Sequence, residues 1–206
     1  MTNFKSNHNL TTESFLVTRQ QKEALNGQKA FVIWLTGLSC SGKSTIARFL
    51  EVRLFNSGLR TLILDGDNTR MSINRDLDFS AEGRAENIRR VAEMAKLLND
   101  TGVVVITAFI SPFRKDREVA REIIGENCFI EVFVDAPIEV CIQRDTKGLY
   151  QKAMKGELKD FTGISSPYEA PLQPKLTVQT ADQTPEEAVC QIINFISSEN
   201  LISLNS

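Results

Sequence analysis

The chain has 206 residues, of which 42% are hydrophobic and 24% charged, and its formal net charge is −2. That length and apolar content suffice for one sizeable core and predict a single domain over residues 1–206, while the lack of a basic excess, or of a Lys/Arg tract interleaved with aromatics, argues against a nucleic-acid partner. One histidine excludes a histidine-based triad or metal site, and apolar runs no longer than a strand predict neither signal peptide nor membrane span, hence a cytoplasmic protein.

Residues 1–15 are polar, carry His8, and are expected to form a flexible arm. Val17–Asn26 reads as a short helix ended by Gly27. The stretch Ala30–Phe49, AFVIWLTGLSCSGKSTIARF, then joins a buried-strand pattern to a full G-x-x-x-x-G-K-[ST] signature and a helix. Gly37 and Gly42 permit backbone conformations that a Cβ would obstruct. Backbone N–H groups of Gly37, Leu38, Ser39, Cys40, Ser41 and Gly42, with the helix N-terminus, form a concave donor array suited to the β- and γ-phosphates of a nucleoside triphosphate. Lys43 adds a mobile cation, Ser44 a hydroxyl for Mg²⁺, and Thr45 supports the same turn. Cys40 takes a free position where a small residue such as glycine is expected, and reads as a tolerated small side chain ahead of a redox role.

Ser44–Asn56 is predicted helical, with Ile46, Phe49, Leu50 and Leu54 at core spacing. Arg60–Leu64 is a strand that delivers Asp65-Gly66-Asp67-Asn68 to its C-terminal end, where ligands bind in open α/β sheets. Those residues could equally be an Asx-rich turn capping the next helix. With histidine excluded, proton transfer falls to carboxylates or Lys, and Asp65, at the end of a buried strand that faces the loop and near Mg²⁺, is the candidate base. Ser80–Asn99 is a long helix with Ile88, Val91, Ala92, Ala95 and Leu98 inward and Arg84 and Asn87 on one face of its first turns. Val103–Ala108 is a central strand, followed by Phe109-Ile110-Ser111-Pro112 and a charged helix, Arg114–Ile124. Phe129–Val134 is the fourth strand and Ile138–Asp145 a short helix. Residues 146–174 are basic, contain three glycines and show no core pattern, which reads as a lid. Leu176–Gln179 is the fifth strand, and Thr184-Pro185-Glu186-Glu187 is a capping box that opens the last helix. Alternating strands and helices imply a parallel sheet covered on both faces: a three-layer α/β, P-loop NTPase fold with five strands. The four cysteines, Cys40, Cys128, Cys141 and Cys190, lack C-x-x-C spacing and are expected to be reduced, packed thiols.

The ordered set Val17-Thr18-Arg19, Trp34 to Ser39, Asp65-Gly66-Asp67-Asn68 with Arg70, Phe79-Ser80, Arg84 with Glu86-Asn87, Phe109 to Pro112, Arg144-Asp145 with Lys147 to Tyr150, and Phe161 to Ile164 resembles the adenylylsulfate (APS) kinases over nearly the whole chain. The resemblance implies transfer of the ATP γ-phosphoryl group to the 3′-hydroxyl of APS, with Mg²⁺ held by Ser44 and Asp65, and a homodimer. It implies an APS pocket of Asp67, Asn68, Arg70, Phe79, Arg84, Asn87, Ile110, Ser111, Lys147 and Phe161, with Arg144 and Gln183 on the ATP side. In the family Ser111 is described as a phosphoserine intermediate; since the acceptor already carries a hydroxyl, direct transfer is the expectation here, with Ser111 a pocket contact. Departures from the family pattern are Met71-Ser72-Ile73 before Asn74, Asp78 and Asp160 in place of glycine, and Cys40 in the loop. A kinase of the same build acting on another small hydroxyl compound is the alternative. A non-catalytic nucleotide-binding module is disfavoured by the intact Lys43, Ser44, Asp65 and Asp67.

Overall fold

A computed structural model describes residue 13 and residues 15–202. The expected arm, including His8, lies outside the described residues apart from residues 13 and 15. Five parallel strands, β1 (Val32–Thr36), β2 (Thr61–Asp65), β3 (Val104–Ala108), β4 (Phe129–Asp135) and β5 (Leu176–Gln179), form one sheet in the order β2-β3-β1-β4-β5. The helices are α1 (Arg19–Asn26), α2 (Lys43–Asn56), α3 (Gly66–Met71), α4 (Ala81–Asn99), α5 (Arg114–Ile124), α6 (Ile138–Arg144), α7 (Leu149–Met154) and α8 (Pro185–Ser198).

Alternation along the strands assigns the layers. Ile33 and Leu35 of β1 join Ile46, Leu50 and Leu54 of α2 and Ile192 and Ile196 of α8 in one core. Val32 and Trp34 face the other way, onto Ile88, Val91, Ala92 and Ala95 of α4 and Ala120 of α5. Both faces of β1 and β3 are buried throughout, as a parallel sheet with helices on either side requires. Gly37, Asp65 and Ile110 lie at or just past the C-terminal ends of β1, β2 and β3, while Phe79, Lys147 and Phe161 lie in segments that follow α3, α6 and α7.

Several expectations shift. The first helix begins at Arg19, because Thr18 and Gln21 form a capping box. Ser80 is a cap, its hydroxyl accepting from Gly83 N. Phe49 is 42% exposed and leaves the α2 core to Ala47. The Asx-rich turn is a real cap, since the Asp65 carboxylate accepts from Asp67 N and opens α3. Residues 146–174 do contain core: α7 buries Tyr150 and Ala153. Of the four thiols Cys141 is buried, whereas Cys190 is exposed on α8.

Candidate active site

Gly37 follows β1, and a Cβ there would sit 2.3 Å from the Val134 carbonyl of β4 and 2.9 Å from Ser41 Oγ, so only glycine lets the loop pass. Gly42 is the left-handed cap of α2. Cys40 also lies in the left-handed region, at φ 59°, which is the conformation the expected glycine would accept without cost. Lys43 is not a mobile cation here. It is 7% exposed, and its Nζ donates to the Gly37 carbonyl at 2.9 Å and the Leu38 carbonyl at 2.5 Å. Burial lowers its pKa to about 8.

The loop is braced from below by Thr180 and Tyr150, to which sequence reading gave no role, and by Arg144, expected on the ATP side. Thr180, just past β5, donates through Oγ1 to the Ser41 carbonyl at 2.8 Å, and Arg144 donates to the Thr180 carbonyl and, at 3.3 Å, to its hydroxyl. Tyr150 donates to the Ser39 carbonyl at 3.1 Å. Thr180 was open to discovery, since it follows a strand end as Gly37 and Asp65 do; Tyr150, inside a glycine-containing basic segment, carried no such signal.

One cleft of about 1230 Å³ collects Cys40, Lys43, Ser44, Thr45, Asp65, Asp67, Asn68, Arg70, Phe79, Arg84, Asn87, Ile110, Ser111, Arg144, Lys147, Phe161 and Gln183. The Leu38 side chain points elsewhere, into a smaller cavity with Ile138 and Ile164, and Ser41 is buried. At the loop end Ser44 Oγ donates to Asp65 Oδ2 at 2.7 Å, and Asp65 Oδ1 accepts from Asp67 N at 3.0 Å. At the far end Arg70 lies 4.3 Å above the Phe79 ring and Arg84 5.8 Å from it, so one face of Phe79 is already taken by a cation. Burial lowers the pKa of both arginines. Arg84 spans from α4 to residues 160–162, donating to the Phe79 carbonyl (2.9 Å), Thr162 Oγ1 (2.9 Å) and the Asp160 carbonyl (2.6 Å). Lys147 is ion-paired with Asp67, which raises the lysine's pKa. Phe161 meets Tyr150 edge-on at 5.0 Å between centroids. Asn87 is buried and accepts from Asn74 Nδ2 at 3.1 Å, an anchor that sequence reading left unassigned.

The two extra carboxylates are accounted for locally. Asp78 accepts from the backbone N (3.1 Å) and hydroxyl (2.6 Å) of Ser80, its pKa held down first by that hydroxyl. Asp160 sits at φ 54°, a conformation glycine prefers and aspartate tolerates.

Ser111 lies at φ 39° on the cleft wall, and its hydroxyl is committed to hydrogen bonds within the protein. Its Oγ accepts from Trp34 Nε1 at 3.2 Å and donates to Thr36 Oγ1 at 3.0 Å, and the Thr36 hydroxyl donates to the Ile110 carbonyl at 2.8 Å. The residue is 2% exposed.

Comparison with known proteins closes on the same chemistry. The family model for adenylylsulphate kinase matches residues 29–179. An adenylyl-sulfate kinase of Thermodesulfovibrio yellowstonii is 51% identical over 195 residues, covering 95% of this chain and 98% of the relative. One from Lactiplantibacillus plantarum is 50% identical, with 95% of each chain covered. The APS kinase CysC of Mycobacterium tuberculosis, solved in complex with AMPPNP and APS, superposes with a TM-score of 0.80 at 42% identity, over 82% of this chain and 99% of that one. A phosphate-binding loop that faces a basic, aromatic-lined pocket across one cleft, in a chain this similar throughout, belongs to the adenylylsulfate kinases, a family of ATP-dependent phosphotransferases.

Proposed function

We propose that this chain transfers the γ-phosphoryl group of ATP to the 3′-hydroxyl of adenosine 5′-phosphosulfate, giving 3′-phosphoadenylyl sulfate for sulfate assimilation. The observation that carries this reading is the division of one cleft into two unlike ends: the loop, Lys43 and the Ser44–Asp65 oxygen pair at one, and Arg70, Arg84, Lys147, Phe79 and Phe161 at the other. Phosphoryl transfer needs in-line placement and charge neutralisation more than covalent help, and the two ends supply an anion cradle for each substrate. Ser44 Oγ and Asp65 are hard oxygen donors 2.7 Å apart, a set that suits Mg²⁺ with its remaining positions left to phosphate oxygens and water. When bound, Mg²⁺ neutralises charge across the β- and γ-phosphates. Asp65 would orient and deprotonate the acceptor hydroxyl, and Asp67, Asn68, Asn87 and Ile110 would shape its pocket. Arg144 would brace the ATP end through Thr180, with Gln183 beside it.

Coupled ADP release from purified protein, Mg-ATP and a panel of hydroxyl acceptors tests the proposal. APS should be the acceptor that accelerates ADP formation. If APS yields no more ADP than buffer while another acceptor does, the acceptor assignment is wrong.

Phe161 is half-buried at the cleft wall, and an aromatic ring there suits stacking on adenine. Phe161→Ala should raise the KM for APS while leaving ATP binding and Tm little changed. A large fall in Tm at unchanged KM would instead mark it as core packing.

Direct transfer, without a phosphoserine, is supported by the surroundings of Ser111. A phosphate on its Oγ would place close to two negative charges against the Trp34 indole and break the Thr36 hydrogen bond. Mass spectrometry after incubation with Mg-ATP alone should find no stoichiometric phosphate at Ser111, and Ser111→Ala should retain substantial turnover. A phosphorylated Ser111 that chases into product at a competent rate would reverse this conclusion.

We also infer that the chain works as a homodimer in the cytoplasm. Phe49, Val52 and Phe55 of α2 are exposed apolar side chains suited to contact with a second copy, and four free thiols fit a reducing compartment. A sedimentation mass of one chain rather than two would refute the first, and recovery of the native enzyme outside the cytoplasmic fraction the second.

A further inference from the structure

Arg117 of α5 is 2% exposed and sends each branch of its guanidinium to a different segment. Nε donates to Glu131 Oε1 on β4 at 2.8 Å, Nη1 to the Ser111 carbonyl at 2.7 Å, and Nη2 to the Glu169 carbonyl at 2.7 Å. A buried ion pair is weak support for stability in itself, because desolvation offsets much of the attraction. Its two further bonds are more telling. One carbonyl belongs to the loop after β3 that walls the acceptor end of the cleft, and the other to the C-terminal root of the segment 146–174.

That root is fastened to the same loop at several more points. Glu169 N donates to the Pro112 carbonyl, Arg114 N to Glu169 Oε2 and Arg114 Nε to the Ala170 carbonyl, each at 2.8 Å. The Tyr168 hydroxyl meets Thr36 Oγ1 at 3.0 Å, its ring lying 5.9 Å from the Arg117 guanidinium. Beyond the root, Gly163 N donates to the Ser166 carbonyl at 2.7 Å, and residues 160 and 162 accept from Arg84. Hydrogen bonds therefore tie Ser111 to the root through Arg117, and Arg84 to residues 160 and 162, the two groups being joined by the short backbone stretch of residues 163–168, with Phe161 carried between. Ser111 is held in a backbone conformation unusual for a residue with a Cβ, and such a conformation persists only where the surroundings over-determine it. Trp34, Thr36 and Arg117 do so from three sides.

We propose that Arg117 is a positioning residue for the acceptor: it fixes the Ile110–Ser111 wall and the root of the lid segment in one register, so that loop, Arg84 and Phe161 meet the acceptor together. This rests on assigning the Phe79–Arg84–Phe161 end of the cleft to APS. Arg117 touches no substrate in this scheme, and the ATP end does not depend on it.

Arg117→Lys tests the idea, since lysine keeps a cation beside Glu131 but cannot span two carbonyls as the guanidinium fork does. The KM for APS should rise about tenfold, a modest loss for misplacement of reacting groups, with the KM for ATP within about a factor of two and Tm little changed. Should the lysine variant fold poorly, Arg117→Met combined with Glu131→Met leaves neither charge buried alone and should show the same APS-selective rise. Phe161→Ala is measured alongside as a reporter of the acceptor pocket. If Phe161→Ala raises the KM for APS and the Arg117 variants do not, or if they raise both KM values alike, Arg117 is only structural and the proposal is overturned. If none of the variants changes the KM for APS, the acceptor assignment fails with it.

Discussion

Lys43→Ala should lower phosphoryl transfer at least ~10²-fold, by the usual size of an electrostatic contribution made mainly in the transition state, and should do so without lowering Tm. The second half follows from burial. Wild-type Lys43 is enclosed by the loop with two carbonyl acceptors, and the low-dielectric setting lowers its pKa from 10.5 to about 8. Between those values the unfolded chain binds the proton that the folded chain has released, so this group makes stability rise with pH across that window; below about 8 its charge is a cost to the fold. Phosphate capture runs the opposite way, because the loop needs the cation. For the wild type, kcat/KM for ATP should therefore fall by up to about tenfold per pH unit above 8, the limb reporting a group of the free enzyme. The alanine variant should lack that limb. Activity within a factor of two of wild type at neutral pH would remove Lys43 from the mechanism, and an alkaline limb that survives in the variant would assign the titration to another group.

Legibility in the sequence followed the range of the interactions. The last helix begins where Thr184-Pro185-Glu186-Glu187 says it should, since a capping box is closed within four residues, and β5 has its predicted bounds. The phosphate loop was readable because its glycines answer to local backbone demands, and Gly37 against Val134 is such a demand. α3 was not readable: six residues, GDNTRM, have no periodicity to detect, and their one signal, a capping carboxylate at Asp65, coincided with the chemical role expected of it. Phe49 was misplaced because helical spacing identifies a stripe but not where its edge meets solvent. The turned-in hydroxyl of Ser111 depends on Trp34 and Thr36, over seventy residues earlier, and no local pattern encodes that. Arg117 sat in a helix start that looks like a solvated charged face. Its partner did carry a signal, since Glu131 is the lone charge within Phe129–Val134, and a carboxylate in a strand buried on both faces requires a cation brought to it.

Asp65→Asn should lower kcat by ~10²-fold or more, the range for loss of a general base, with only a modest change in ATP affinity. The geometry gives Asp65 two attachments that an amide can largely imitate: Oδ1 caps α3 through Asp67 N, and Oδ2 accepts from Ser44 Oγ at 2.7 Å. Asparagine is as good a cap as aspartate, so the fold should tolerate the change, whereas full loss of a cap costs ~1 kcal/mol. What asparagine cannot imitate is the charge that Asp65 would offer to Mg²⁺ and its basicity toward a hydroxyl. A variant with wild-type Tm and a collapsed kcat would therefore separate chemistry from capping; unchanged turnover would leave Asp65 as a cap alone. The competing carboxylate is Asp67, two residues on, which in this structure is ion-paired with Lys147 and so faces the acceptor end of the cleft. Its loss should raise the KM for APS before it lowers kcat, because it would free a lysine rather than remove a base. If Asp67→Asn abolishes turnover while Asp65→Asn proceeds normally, the two carboxylates exchange roles and the base lies on the α3 side of the cleft.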